Sequence, residues 1–73
     1  MSYFKSFLLE SNHEVLIMKN YDIENDCHII NMYVEDTNNI QTASISFDTE
    51  EKRNDAFNNY TIDNAKGFAD FIL

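Results

Sequence analysis

The sequence contains no proline and only one glycine, Gly67, among its 73 residues. It therefore lacks both the Pro/Gly-rich linker that often separates two domains and the glycine-rich loop that cradles phosphate groups. Ten asparagines supply the turn-forming side chains that proline and glycine would otherwise provide. Because chains of this length bury only a modest core, we expect residues 1–73 to fold as a single small domain.

Cysteine and long apolar runs are also scarce. The single cysteine, Cys27, excludes an internal disulfide and is typical of a protein in a reducing, cytoplasmic environment. The longest apolar run, residues 15–18, is far shorter than the ~18 residues that a transmembrane helix needs. No basic segment followed by an apolar stretch opens the chain, so a signal peptide is not predicted either. We expect a cytoplasmic protein that does not bind membranes.

Positively charged residues are also few. Five Lys/Arg residues stand against 13 Asp/Glu residues, which gives a net charge of -8. Because such a surface repels phosphate groups, direct binding to nucleic acid or to anionic lipid is not expected. The hydrophobic fraction of 44% is sufficient for a globular core and too high for a disordered tail. The composition indicates an acidic globular domain.

Residues 15–47 show the alternation of polar and apolar side chains that is typical of β-strands. The polar stretch 35–39 predicts a hairpin turn between the strands 27–35 and 40–47. Residues 15–21 predict a central strand that leaves through the acidic turn 22–26. The apolar faces of the two hairpin strands are formed by Ile30, Met32 and Val34 and by Ala43, Ile45 and Phe47.

Residues 3–10 fit two different structures. Phe4, Phe7 and Leu8 have the spacing of a helix, and Ser2 is suited to cap it. The same segment also fits a strand that pairs with residues 15–21 through a turn at 11–13. We favour the strand because a helix of seven residues is marginally stable on its own.

From Asp48 onward the apolar spacing becomes helical. Asp48 or Thr49 is suited to cap a helix whose first turn carries two glutamates, and Thr61 is suited to cap a second helix. The apolar stripes of the two segments consist of Ala56, Phe57 and Tyr60 and of Ala65, Phe68, Ala69 and Ile72. The predicted fold is therefore α+β, an antiparallel three- or four-stranded meander with one or two C-terminal helices packed on one face.

The residues do not indicate an enzyme, a cofactor or a metal site. Cys27 and His28 are adjacent, but neighbours on a strand point to opposite faces and cannot form a thiol–imidazole pair. The acidic residues in 22–26 resemble the start of a calcium-binding loop. The glycine and the glutamate that such a loop requires at its sixth and twelfth positions are Cys27 and Tyr33 here. A solvated acidic turn is the better interpretation.

The acidic residues are concentrated in the segments 22–26, 35–36 and 48–51. Because a meander reverses direction at each turn, the first and third segments are predicted at one end of the sheet and the second at the other. Carboxylates gathered on one rim attract Lys/Arg-rich surfaces and resemble a row of phosphates. Tyr33 is an additional candidate because tyrosine is a good interface anchor. The candidate partner-binding residues are Asp22, Glu24, Asp26, Tyr33, Glu35, Asp36, Asp48, Glu50 and Glu51.

The hairpin 27–47, the acidic helix start at 48–51 and the net charge together resemble, as a class, small acidic phage-encoded inhibitor proteins of the anti-CRISPR or DNA-mimic type. The resemblance implies a protein that blocks a nucleic-acid-binding host protein by occupying its basic surface and performs no chemistry. The residues alone leave an alternative open. In that alternative the protein is an interaction or self-associating module that uses a sheet edge, a dimer is one of its states, and the acidity serves only solubility.

Overall fold

The chain forms a four-stranded antiparallel sheet followed by two helices. A computed structural model describes residues 3–37 and 39–73. The elements are β1 (Phe4–Leu8), β2 (Glu14–Asp22), β3 (Cys27–Asp36), β4 (Asn39–Phe47), α1 (Glu50–Asn58) and α2 (Ile62–Ile72). The strand order is β1-β2-β3-β4, so the predicted meander is confirmed with four strands and two helices. Within residues 3–10, for which two structures were considered, Phe4–Leu8 form the strand β1, whereas Ser2 lies outside the described residues.

The strand register gives the sheet two different faces. Lys5 is paired with Ile17, and Ile17 with Met32, so these three residues share the face that the helices cover, here called the inner face. Ser6 is paired with Leu16, which is paired in turn with Tyr33, and these residues belong to the opposite, outer face. The predicted apolar faces of β3 and β4 coincide, since Ile30 pairs with Ile45 and Met32 with Ala43.

The core lies between the inner face and the helices. Phe57 of α1 is its largest fully buried side chain. Ala65 and Ala69 of α2 are also buried, and Phe68 and Ile72 pack beside them, which confirms the predicted stripe of the second helix. The buried residues are Leu9, Val15, Ile17, Ile30, Met32, Val34, Phe57, Ala65 and Ala69.

Two capping residues determine where the helices begin. The hydroxyl of Thr49, rather than the carboxylate of Asp48, accepts the backbone N–H of Lys52 at 3.1 Å. Thr61 and Asn64 form a capping box in which each side chain accepts from the backbone N–H of the other residue. The chain therefore makes two separate helices of nine and 11 residues. In the described part of the chain, neither helix is long and apolar enough to cross a membrane.

The hairpin between β3 and β4 is tighter than predicted. We expected residues 35–39 to form the turn, but strand pairing continues to Asp36 and Asn39. Tight connections between antiparallel strands use positive φ angles, and Thr37 adopts a φ of 21°, whereas Asn38 of the predicted turn lies outside the described residues. Glu35 and Asp36 consequently belong to β3 rather than to a loop.

Candidate acidic binding surface

Two of the three acidic segments lie at the same end of the sheet. The turn 22–26 joins β2 to β3, and Phe47 at the end of β4 is paired with His28 near the start of β3. Residues 48–51 follow directly, and Asp26 and Asp48 line the same surface depression. This part of the surface, here called the acidic end, carries the carboxylates of Asp22, Glu24, Asp26, Asp48, Glu50 and Glu51.

Hydrogen bonds hold the turn of the acidic end in one conformation. The carboxylate of Asp22 accepts the side-chain amide of Asn25 at 2.7 Å and its backbone N–H at 3.2 Å. Both bonds lower the pKa of Asp22 because they favour its ionised form, and the bond from the Asn25 side chain has the larger effect. Asp26 adopts a φ of 52° and accepts the hydroxyl of Tyr21. That hydrogen bond is the main reason why the pKa of Tyr21 is raised. The turn therefore presents its negative charges in a defined arrangement.

The start of α1 carries weak ion pairs. Lys52 Nζ lies 3.6 Å from a carboxylate oxygen of Asp48, and both side chains are exposed. Arg53 lies 3.9 Å from a carboxylate oxygen of Glu50. The exposed Lys52–Asp48 pair contributes only ~0–1 kcal/mol, so a partner's cation can replace Lys52 there at little cost. Six carboxylates against these two cations leave an excess of four negative charges at the acidic end.

Three of the protein's five cations form contacts between α1 and the sheet. Lys5 Nζ donates to the carbonyls of Phe57 and Asn58 at 2.7 and 3.1 Å. Lys5 Nζ and Lys19 Nζ lie 5.1 and 5.0 Å from the centre of the Phe57 ring. The largely buried guanidinium of Arg53 donates to the backbone carbonyl of Asn20 at 2.8 Å. Lys5 and Lys19 are thus held against Phe57, which limits how far they neutralise the acidic end.

Glu35 and Asp36 lie at the opposite end of the sheet. Asp36 is 4.0 Å from His13 Nε2, and Glu35 lines a depression together with His13 and Glu14. Strands of nine or ten residues are roughly 30 Å long, so these two residues are remote from the acidic end. The structure therefore does not bring all the candidate carboxylates together.

The depression near Glu35 contains a grouping that the sequence reasoning missed. Ser11 Oγ lies 2.9 Å from His13 Nδ1, and the other ring nitrogen of His13 faces Asp36. The order Ser–His–Asp resembles a catalytic triad, but 4.0 Å is too long for the His–Asp hydrogen bond. Glu14 and Glu35 line the same depression and would oppose the developing negative charge of an oxyanion. The geometry favours a structural contact between the β1–β2 and β3–β4 turns.

Tyr33 lies on the outer face, half-buried between Leu16 of β2 and Thr42 of β4. We predicted this face of the strand to be polar. It is more apolar than predicted because β1 and β2 also contribute Phe4, Leu8, Leu16 and Met18. The alternation of Phe4, Ser6 and Leu8 was the available signal, but it is informative only once β1 is known to be a strand.

Cys27 and His28 diverge as expected for strand neighbours. His28 packs edge-to-face against Tyr21 on the inner face, with ring centres 5.0 Å apart, and its Nδ1 is buried without a hydrogen-bond partner in the described structure. Cys27 is half-buried and lines the depression of Asp26 and Asp48. Among residues 3–37 and 39–73, no three His, Cys, Asp or Glu side chains are arranged to hold a metal ion.

Comparison with protein-family models, with curated proteins and with solved structures finds no match for this chain. Its function is therefore argued from the surface described above.

Proposed function

We propose that this protein is a non-enzymatic inhibitor whose acidic end occupies the basic nucleic-acid-binding surface of a partner protein. The observation that carries the proposal is the placement of the turn 22–26 and the start of α1 at one end of the sheet. The two segments are separated by 21 intervening residues in the sequence and supply six carboxylates together.

The physical basis of the proposal is that carboxylates can replace phosphates as partners of Lys and Arg. Both groups accept charge-assisted hydrogen bonds, and arginine binds either of them with two parallel N–H donors. Nucleic acid that binds Lys and Arg releases the cations condensed on its phosphates, which makes the binding salt-dependent. Ion pairs between Lys or Arg and a carboxylate array are also weakened by salt, through screening. The hydrogen bonds of Asp22 and Asp26 hold part of this array in place before binding, which reduces the entropy lost on association.

The net charge supports the same interpretation kinetically. A charge of -8 on a domain this small steers a basic surface toward it and accelerates association at low salt. Lys5 and Lys19 are held against Phe57 of α1, so they offset this field less than Lys52 and Arg53 do. In this proposal the anti-CRISPR or DNA-mimic class is the nearest functional parallel, and the partner is a protein rather than nucleic acid.

The test is capture of basic nucleic-acid-binding proteins by the immobilised chain, followed by competition between the chain and the captured protein's own DNA or RNA. We expect binding to fall steeply as salt rises from low to physiological ionic strength, and nucleic acid to displace the chain. Binding that tolerates salt, or a ternary complex with nucleic acid, would contradict the proposal.

A charge-reversal pair of variants locates the binding surface. The test variant changes Glu24, Asp48 and Glu51 to Lys, and it spares Asp22 and Asp26 because their hydrogen bonds shape the turn. The control variant has the same net charge but changes three exposed acidic residues elsewhere, Glu10, Asp55 and Asp70, to Lys. We expect the first variant to lose partner binding at least tenfold more than the second. Equal losses would show that only the net charge matters.

A further inference from the structure

The outer face of the sheet is uncovered, and it carries an apolar patch that the acidic end does not explain. We propose that a second copy of this chain packs on the outer face, sheet against sheet, to form a symmetric dimer. This inference is independent of the proposed inhibitor function, because the outer face and the acidic end share only Asp22, at the end of β2.

The patch is formed mainly by the two N-terminal strands. Phe4 pairs with Met18 on the neighbouring strand, and Leu16 pairs with Tyr33 on the next strand. Phe4 and Leu8 are 56% and 66% exposed, high values for side chains of this size. The outer patch is defined as Phe4, Leu8, Leu16, Met18 and Tyr33. Apolar patches of a few hundred Å² are commonly interaction surfaces on soluble proteins.

Charge is excluded from the middle of the outer face. The only charged side chains on that face of the described strands are Glu14, Asp22 and Glu35, and each lies within two residues of a strand end. Two lysines in the same strands, Lys5 and Lys19, point to the inner face instead. Depletion of charge is the feature that distinguishes the buried centre of an interface from the rest of a protein surface.

The lack of charge also excludes two kinds of occupant. Without a cation, the face offers nothing to the phosphates of nucleic acid or of anionic lipid. A second copy presents the same neutral surface, with the apolar outer patch beside the hydroxyls of Thr42, Ser44 and Ser46 on β4. Such a surface is complementary to itself, because apolar side chains face apolar ones at the centre and hydroxyls form the border.

The dimensions suit a small dimer interface. Four strands about 4.8 Å apart, three of them roughly 30 Å long and the five-residue β1 about 17 Å long, give a face of about 540 Å². This footprint approaches the ~600 Å² per partner at the lower end of standard interfaces. Stacked sheets lie ~10 Å apart, the distance at which side chains such as Phe4 and Leu16 interdigitate.

A two-fold arrangement leaves the remaining carboxylates at the ends of the strands. A two-fold axis that lies between the sheets and runs across the strands reverses the strand direction of the second copy. Glu14 and Glu35 of one copy then face the end of the other sheet that carries Asn20, Asp22 and Ser46, so the repulsion between these carboxylates lies at the border of the interface, where salt screens it. The helices remain on the outside, and the two acidic ends project from opposite ends of the dimer, so each is free to bind a partner.

Sedimentation equilibrium tests the inference across protein concentrations from about 1 to 300 µM. The test variant is Phe4→Ser with Met18→Ser, which removes two adjacent side chains of the outer patch. The control is Phe71→Ser, since Phe71 is 90% exposed on α2, on the helix side of the molecule. We expect a wild-type dimer, at least a 100-fold weaker dimer for the double variant, and an unchanged dimer for the control. Denaturation curves verify that all three chains fold.

Three results would overturn the inference: a wild-type monomer at the highest concentration, a dimer that survives the double variant, or loss of the dimer in the control. Survival in the double variant would point instead to pairing through the edge strand β4. Salt separates this inference from the proposed function. Added salt should leave the dimer unchanged or strengthen it, because two negatively charged copies associate through a neutral face. The same salt should weaken partner binding at the acidic end.

Discussion

The ammonium group of Lys5 donates a hydrogen bond of 2.7 Å to the backbone carbonyl of Phe57, 52 residues later in the chain. Helix α1 has no basic residue in its own last turn. A cation on β1 therefore satisfies the exposed carbonyls at the C-terminal end of the helix and offsets the negative end of its dipole. This contact connects the first strand, the core residue Phe57 and the distribution of charge over the surface.

Removing the Lys5 ammonium should destabilise the fold. We expect Lys5→Met to lower the free energy of unfolding by ~1–2 kcal/mol, because the carbonyls of Phe57 and Asn58 lose a charged donor while the aliphatic stem is kept. Urea denaturation measures the change. Lys66→Met, at an exposed position of α2, is the control and should change stability by less than ~0.5 kcal/mol. Equal effects of the two substitutions would contradict the capping role.

Truncation of Phe57 should come close to unfolding the protein. The side chain is 2% exposed and is the largest in the core, so Phe57→Ala should lower the free energy of unfolding by ~3–5 kcal/mol. A domain of this size has little more stability than that. Thermal unfolding followed by circular dichroism is the measurement, with Phe71→Ala at a 90% exposed position as the control. A cooperative transition near the wild-type temperature would contradict the described core.

The stability of the fold should depend on pH through Asp22, in the turn of the acidic end. The pKa of Asp22 is lowered from 3.8 by the hydrogen bonds from Asn25. Because the folded state favours the ionised form, the stabilisation is fully present above pH 3.8 and is lost as the pH falls through the lower folded-state pKa. In Asn25→Ala we expect the pKa of Asp22 to rise toward 3.8, measured by NMR titration of the side-chain carboxyl. An unchanged titration would show that Asn25 does not hold the carboxylate.

Replacing His28 by an aromatic residue that cannot form hydrogen bonds should stabilise the fold. Its Nδ1 is buried without a hydrogen-bond partner in the described structure, and its ring packs on Tyr21. His28→Phe keeps the ring contact and removes the unpaired nitrogen, so we expect the free energy of unfolding to rise by about 1 kcal/mol at neutral pH. His28→Gln, which keeps a polar group in the same place, should instead be destabilising. Denaturant unfolding of both variants decides between these outcomes.

Local sequence signals were sufficient to predict most of the secondary structure. The alternation in residues 15–47 predicted three strands, because a period of two with one apolar face fits few other structures. The capping residue Thr61 predicted the break between the helices, since its hydroxyl competes for the first free N–H groups of α2. The predicted length of the turn between β3 and β4 was wrong. Residues 35–39 are all polar, and polarity does not show where strand pairing stops.

The candidate site was predictable only in part. The meander topology placed residues 22–26 and 48–51 at one end of the sheet, and the structure has that topology. The apolar outer patch was not predicted, because residues 3–10 suited a helix as well as a strand. The side chains of Phe4 and Leu8 are assigned to the outer face only by the pairing of β1 with β2. The Ser11–His13 contact was missed for a related reason, since it depends on the shape of a turn.

The sequence by itself determined the order of the central strands and the helical segment, the cap at Thr61 and the excess of negative charge, because these follow from local spacing, capping and composition. It left open whether residues 3–10 form a strand, whether the helical segment is one helix or two, and whether Asp48 or Thr49 begins it. The tertiary structure decided which side chains share a face and which charges are neighbours. Lys5 and Phe57 meet only because β1 pairs with β2 and α1 folds back across the sheet. Contacts between residues so far apart in the chain depend on strand register and helix packing, and no local pattern encodes them.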